Sequence, residues 1–124
     1  MKKITILIIV SFLLCGCGKN NENIVDDMNG KVISCSQLEE MKKENDTAIL
    51  VDVRTEEEYL ENHLTDAINI PLDDILNNVG MDDIDKDIPV IVYCRSGSRS
   101  SEAMSKLISE GYKYVYDLGS INKC

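Results

Sequence analysis

Residues 89–108, PVIVYCRSGSRSSEAMSKLI, hold the transition on which the reading of this chain turns. Pro89 to Tyr93 is a short apolar run, rich in β-branched side chains, that reads as a strand buried on both faces. From Ser100 or Ser101 the period changes. Ala103, Met104, Leu107 and Ile108 recur at the spacing of one helical face, and Gly111 stands where a helix C-cap belongs. Between the two patterns lie Cys94 and the loop Arg95, Ser96, Gly97, Ser98, Arg99. In open parallel sheets, ligands bind beyond the carboxyl ends of strands, where helix N-termini present unpaired N–H groups. Gly97 between two small serines lets such a loop curl with its amides inward, a cradle for an anion.

A thiolate is itself an anion. A lone cysteine at a strand end is normally a small buried hydrophobe, but that role calls for neither two arginines nor a glycine flanked by serines. A free thiol with a pKa of about 8.5 is little ionised at neutral pH, and helix N-termini and nearby arginines lower that value. Cys94 is therefore expected to be a nucleophilic thiolate in an anion-binding loop. A side chain packed away into the apolar interior is the observation that counts against this reading.

Outward from this segment, strands and helices alternate. Lys31 to Ile33 is β-prone, and Ser36 with Glu39 has the spacing of a capping box opening a helix at Gln37 to Glu44. Ala48 to Val53 reads as a buried strand, and Thr55 caps a short helix through Leu60, with Glu56, Glu57 and Glu58 in its first turn. Ala67 to Ile70 is a strand stopped by Pro71. Leu72 to Val79 is an amphipathic helix ended by Gly80, and Tyr114 to Leu118 is the last strand. The alternation predicts a single α/β domain with a mainly parallel central sheet and helices on both faces. Asp83, Asp85 and Asp87 mimic the opening of a calcium loop, but Ile88 and Cys94 occupy positions that require Gly and Glu, so the segment reads as a solvated turn.

The chain of 124 residues has room for one core, and its 44% apolar and 28% charged residues suit a folded domain. A net charge of −9 disfavours nonspecific attraction to nucleic acid or to anionic lipid headgroups, and no nucleic-acid partner is expected. Lys2 and Lys3 precede an apolar run from Ile4 to Leu14, too short to span a bilayer, which takes roughly 20 residues. A basic start, a short apolar core and small residues before a cleavage point describe an export signal. Its ending, Leu14 to Cys17, resembles a bacterial lipobox. Residues 1–16 are then a removed signal, Cys17 carries lipid, 17–29 form a polar tether and 30–124 the folded domain, exported and held at a membrane without spanning it. An ordinary signal peptide is the alternative. Of five cysteines, this leaves Cys35, Cys94 and Cys124 in the domain, an odd number that implies a free thiol while allowing one pair.

With these residues in view, the chain resembles the rhodanese family, the thiosulfate sulfurtransferases. CRSGSRS, Cys94 to Ser100, matches the family's C-R-x-G-x-R-S loop. VDVRTEEEY, 51–59, is similar to its D-V-R segment ending in Glu and an aromatic, and AINIP, 67–71, to its A-x-N-I-P. GYKYVYDLGSI, 111–121, resembles the family's closing segment. The resemblance runs in family order from about residue 31 onward. It implies that Cys94 attacks the sulfane sulfur of a small anionic donor such as thiosulfate and holds a persulfide, which a thiol or cyanide then accepts. It implies that Arg95, Ser96, Gly97, Ser98 and Arg99 bind substrate, and that Asp52, Arg54 and Ser100 brace them. His63 is implied to be structural, and no metal or organic cofactor is implied.

Departures mark the ends of the pattern. Asn62 and Asp66 replace usual glycines and are expected to tolerate left-handed backbone. Ser120 replaces a glycine, Cys124 falls where Trp is common, and Cys35, often Pro in the family, is expected as a structural thiol. Pairing of Cys94 with Cys35 or Cys124 is also open. Phosphatases and arsenate reductases with a related loop are a rival, disfavoured because they use Cys-x5-Arg where Cys94 and Arg99 are spaced Cys-x4-Arg. A noncatalytic sulfur-binding or redox-sensing module is another. The physiological donor, the acceptor and the oligomeric state stay open.

Overall fold

The computed structural model describes residues 30–124. The export segment, Cys17 and the tether lie outside the described residues. Five parallel strands form one sheet: β1 (Lys31–Val32), β2 (Ile49–Asp52), β3 (Ile68–Asn69), β4 (Pro89–Cys94) and β5 (Tyr114–Ser120), in the spatial order β1-β5-β4-β2-β3. Four helices connect them: α1 (Cys35–Glu44), α2 (Glu56–Glu61), α3 (Leu72–Leu76) and α4 (Ser98–Ser109), and a 3-10 turn covers Ile121–Lys123.

The apolar run of β4 suits it to the central position, where both faces of a strand are buried. Every residue from Pro89 to Cys94 is buried. Its side chains alternate between two layers, as the two-residue period of a strand requires. Val90, Val92 and Cys94 pack with Ala103, Leu107 and Ile75, under α3 and α4. Ile91 and Tyr93 pack with Leu38, Met41, Tyr116 and Leu118, under α1. Each large aliphatic side chain so buried contributes about 1.5–3 kcal/mol relative to exposure. Among the described residues no helix is long and apolar enough to cross a membrane.

Helix starts differ from expectation where several hydroxyl residues compete. The capping box of α1 is Ser34 with Gln37, two residues before the expected one: the Ser34 hydroxyl accepts from the Gln37 amide at 3.2 Å, and Gln37 Oε1 accepts from the Ser34 amide at 2.8 Å. Thr55 caps α2 as expected, with Glu58 completing the box. The helix from Leu72 stops at Leu76, and Val79 is 53% exposed instead of sharing its apolar face. Asp83, Asp85 and Asp87 are exposed, and the described residues hold no acidic or histidine group arranged for a metal. Asp66 adopts the left-handed backbone expected of it, at φ 67°, whereas Asn62 is extended at φ −166°.

Cys35 is not the free structural thiol the sequence suggests. It is bonded to Cys124, 89 positions along the sequence, with Cα atoms 5.5 Å apart. Pairing of β1 with β5 brings the two cysteines together, since Cys35 closely follows β1 and Cys124 closely follows β5. Cys94 is the free cysteine among the described residues.

Three buried or half-buried tyrosines place their hydroxyls: Tyr59 donates to the Ala67 carbonyl at 2.7 Å, Tyr112 to the Met81 carbonyl at 2.9 Å, and Tyr93 accepts from the Leu64 amide at 3.1 Å. Tyr116 has no hydrogen-bond partner for its buried hydroxyl among the described residues. A buried unsatisfied hydroxyl carries a desolvation cost of about 1–3 kcal/mol. Tyr116→Phe is therefore expected to leave stability unchanged or raise it by up to about 1 kcal/mol in urea unfolding, whereas Tyr112→Phe, which removes a buried hydrogen bond to the Met81 carbonyl, lowers it.

Candidate active site

Cys94 is the last residue of β4, and α4 begins at Ser98, so only Arg95, Ser96 and Gly97 separate strand from helix. The expected helix start at Ser100 or Ser101 is thus two to three residues late. Gly97 takes the N-cap position at φ 100°, a left-handed conformation costly for other residues, and its carbonyl opens the helical ladder by accepting from the Ser101 amide. This tight reversal folds the helix N-terminus back over the strand end. The Gly97 amide donates to Cys94 Sγ at 2.9 Å, Ser100 Oγ lies 3.5 Å from the sulfur, and the Ser96 and Ser100 amides also favour its charge.

Cys94 itself has no exposed surface. Burial is the largest single influence on the thiol and pushes its pKa up, but the Ser100 hydroxyl and the surrounding amides together outweigh it, so the thiol ionises below its ordinary range. In the protonated state the S–H donates to Ser100 Oγ while Ser100 donates to the Gly97 carbonyl at 3.1 Å. In the thiolate Ser100 turns its proton to the sulfur. The observation set against an enzymatic role is therefore met in half: the side chain belongs to the core cluster under α4, but its sulfur faces donors.

The arginines divide. Arg99 grips Glu58 with two hydrogen bonds of 2.6 and 3.0 Å, tying α4 to α2. That pairing is the main cause of its raised pKa, and the Cys94 sulfur adds to the rise. Arg99 thus holds the loop while facing the thiolate. Arg95 is exposed and makes no ion pair among the described residues. Arg54 forms a buried pair with Asp52, Nε to Oδ1 at 3.0 Å and Nη2 to Oδ2 at 2.7 Å, and donates to the Asn62 carbonyl at 2.6 Å. Asn69 Nδ2 bonds the carbonyls of both Asp52 and Arg54, each at 3.0 Å. The Asp52–Arg54 pair therefore braces the turn after β2 and not the 95–99 loop, to which it makes no hydrogen bond among the described residues. His63 stacks on the Tyr59 ring at 3.9 Å and contacts the Tyr59 carbonyl at 2.9 Å.

Arg54, Glu58, Glu61 and Asn62 on one side and Arg95, Ile121 and Asn122 on the other line a cleft of about 220 Å³ beside the loop. Sequence reading assigns Glu58 only a favourable place at a helix start. Its match to the Glu of the D-V-R segment is the signal for its second role. Ser120 stands in the sequence only as a missing glycine, yet its hydroxyl donates to the Arg95 carbonyl at 2.7 Å, and no sequence signal announces that contact.

Residues 34–123 match the rhodanese-like domain family. A sulfurtransferase of Allochromatium vinosum is 35% identical over 86 residues, covering 69% of this chain and 78% of the relative. The thiosulfate sulfurtransferase PspE of Escherichia coli is 37% identical over 71 residues, covering 57% of this chain and 68% of the relative. Among solved structures, a human single-domain sulfurtransferase superposes with a TM-score of 0.67 at 21% identity, covering 74% of this chain and 92% of that one, a likeness of fold. A rhodanese from Escherichia coli solved with anions superposes with a TM-score of 0.57 at 34% identity, covering 62% of this chain and 91% of that one.

Two outcomes are expected from this geometry. Removing the Ser100 hydroxyl takes a donor from the thiolate, so Ser100→Ala is expected to move the pH profile of Cys94 alkylation upward and slow alkylation several-fold, about 3–10, at pH 7, with the wild-type rate recovered at high pH. The Arg99 guanidinium holds the Glu58 carboxyl down to about 2. A depressed carboxylate stabilises the fold above the ordinary carboxylate range, and the gain is lost as pH falls toward about 2. Because Arg99 is one-third exposed, the pair is screened. Wild type is expected to exceed Glu58→Gln by about 1 kcal/mol at pH 6, with the gap closing by pH 2–3 in urea titrations.

Proposed function

The chain belongs to the rhodanese-like domain family, and from that premise we propose that it is a sulfurtransferase that carries a sulfane sulfur as a persulfide on Cys94. The observation that carries the proposal is the Gly97 amide 2.9 Å from Cys94 Sγ, at the head of a helix whose first amides and Ser100 hydroxyl surround the same atom. Such a ring of donors stabilises negative charge on a sulfur whether that sulfur is the thiolate or the outer atom of a persulfide.

In the first half-reaction the Cys94 thiolate attacks the outer sulfur of thiosulfate or a related donor. The new S–S bond forms as the donor's S–S bond breaks, and sulfite leaves with the bonding pair. In the second, a thiolate or cyanide attacks the outer persulfide sulfur and Cys94 leaves as the thiolate. Arg95, exposed beside the cleft, attracts the anionic donor, and Arg99, tied to Glu58, keeps the loop in shape for both steps. The lipobox-like Leu14 to Cys17 supports an exported form anchored by lipid on Cys17, the second part of the proposal.

One observation favours a second reading, a noncatalytic sulfur-binding or redox-sensing module: Cys94 has no exposed surface. A single-turnover assay separates the two. With thiosulfate and then cyanide, protein lacking residues 1–17 is expected to gain one sulfur atom on Cys94 and release thiocyanate, while Cys94→Ser does neither, its rate falling by about 10³ or more. Equal turnover by both proteins refutes the persulfide mechanism.

A further inference from the structure

The Cys35–Cys124 bond lies on a short path to Cys94. Cys124 follows the 3-10 turn Ile121–Lys123, which continues directly from β5. In the sheet, Gly119 pairs with Tyr93 and Ser120 pairs with Cys94 itself. Ser120 Oγ reaches across to the Arg95 carbonyl at 2.7 Å and accepts from the Asn122 amide at 3.1 Å, so the turn and the catalytic loop share one hydroxyl. A Cβ at Gly97 would sit 3.7 Å from Gly119 Cα, in van der Waals contact. The segment 119–122 is therefore packed against the loop that holds the sulfur, and Ile121 and Asn122 form one wall of the cleft beside it. This segment is fastened at its far end by the disulfide.

The disulfide is itself reachable. Cys124 is exposed, and Cys35 is half-buried and lines an open groove with Val32, Ser34, Gln37 and Lys123. Cys35 is the first residue of α1, where the positive end of the helix dipole favours a leaving thiolate. Lys123, next to Cys124 in sequence, adds a positive charge that draws an incoming thiolate.

We propose that the Cys35–Cys124 disulfide is a thiol-exchange site for small thiols and dithiols, and that opening it releases segment 119–124 and uncovers Cys94. An incoming thiolate bonds to Cys124 Sγ, the Cys35–Cys124 bond breaks, and Cys35 leaves as the thiolate with the bonding pair. A second thiolate then attacks the sulfur of the first, releasing Cys124 as a thiolate. Two thiols are oxidised to their disulfide and the protein disulfide is reduced to two thiols. With that fastening broken, the segment is held by the Ser120 hydroxyl, the end of the β4–β5 ladder and the packing of Ile121 against the core. Local opening of so few bonds is far easier than global unfolding. The proposal concerns access to the sulfur and stands whether or not Cys94 transfers one.

The test uses the full chain and reads alkylation of Cys94 by iodoacetamide, quantified by mass spectrometry on the peptide that contains it. Three forms are compared: oxidised wild type, wild type reduced with dithiothreitol and freed of it, and the double variant Cys35→Ser, Cys124→Ser. Both opened forms are expected to react at least about tenfold faster than the oxidised one, with reoxidation of wild type restoring the slow rate. The pH profile of alkylation must stay below the ordinary thiol range, as it does only while the loop remains folded. Equal rates in all three forms, failure of millimolar dithiothreitol to open the bond in the folded protein, or a faster rate with the titration of an unfolded thiol would each overturn the proposal.

Discussion

Everything in this domain depends on how much hydrogen-bonding capacity is focused on one sulfur atom. A buried thiolate is costly, and a helix N-terminus is a set of amides without intrahelical partners. Joining strand to helix through three residues places the second against the first, so that each satisfies the other's need. Gly97 is the hinge of this arrangement, because its left-handed backbone turns the chain sharply enough for its own amide to point back at Cys94. The serines around it contribute by being small and, in Ser100, by a hydroxyl that can switch between donating to a carbonyl and donating to the sulfur.

Around that focus the charges are arranged in pairs. Glu58 and Asp52 neutralise Arg99 and Arg54, fixing helix to helix and turn to strand, and leave Arg95 as the loop arginine without a carboxylate partner among the described residues. Sequence composition alone counts two loop arginines as equal. The fold gives them different tasks: one supports the loop's shape under a carboxylate clamp, the other presents charge at the cleft. The net charge of −9 is spread over the rest of the surface and says nothing about this local balance.

Strand pairing links Cys94 to the end of β5. The same β4–β5 pairing that makes the strand central also lays the end of β5 against the 95–99 loop, and the disulfide fastens the 3-10 turn beyond it. Burial keeps bulk water from the Cys94 sulfur and strengthens each hydrogen bond made to it.

Local patterns determined much of this protein. The apolar run 89–93, the helical face through Ala103 and Leu107 and the alternation on either side identify a parallel α/β sheet, because periodicity records which faces are buried. The composition of residues 94–100 marks the loop around Cys94 for the same reason: amides, arginines and a glycine are local requirements of local chemistry. What tertiary structure decided involves partners far apart in sequence. The Glu58–Arg99 clamp spans 41 residues and the Cys35–Cys124 bond 89, and neither leaves a periodic or compositional trace, since each arises only when the strand order makes distant segments neighbours. The burial of Cys94 belongs to the same class: its place at the strand end is set by the sequence, but its enclosure depends on Ile75, Ala103 and Leu107 being brought over it by α3 and α4.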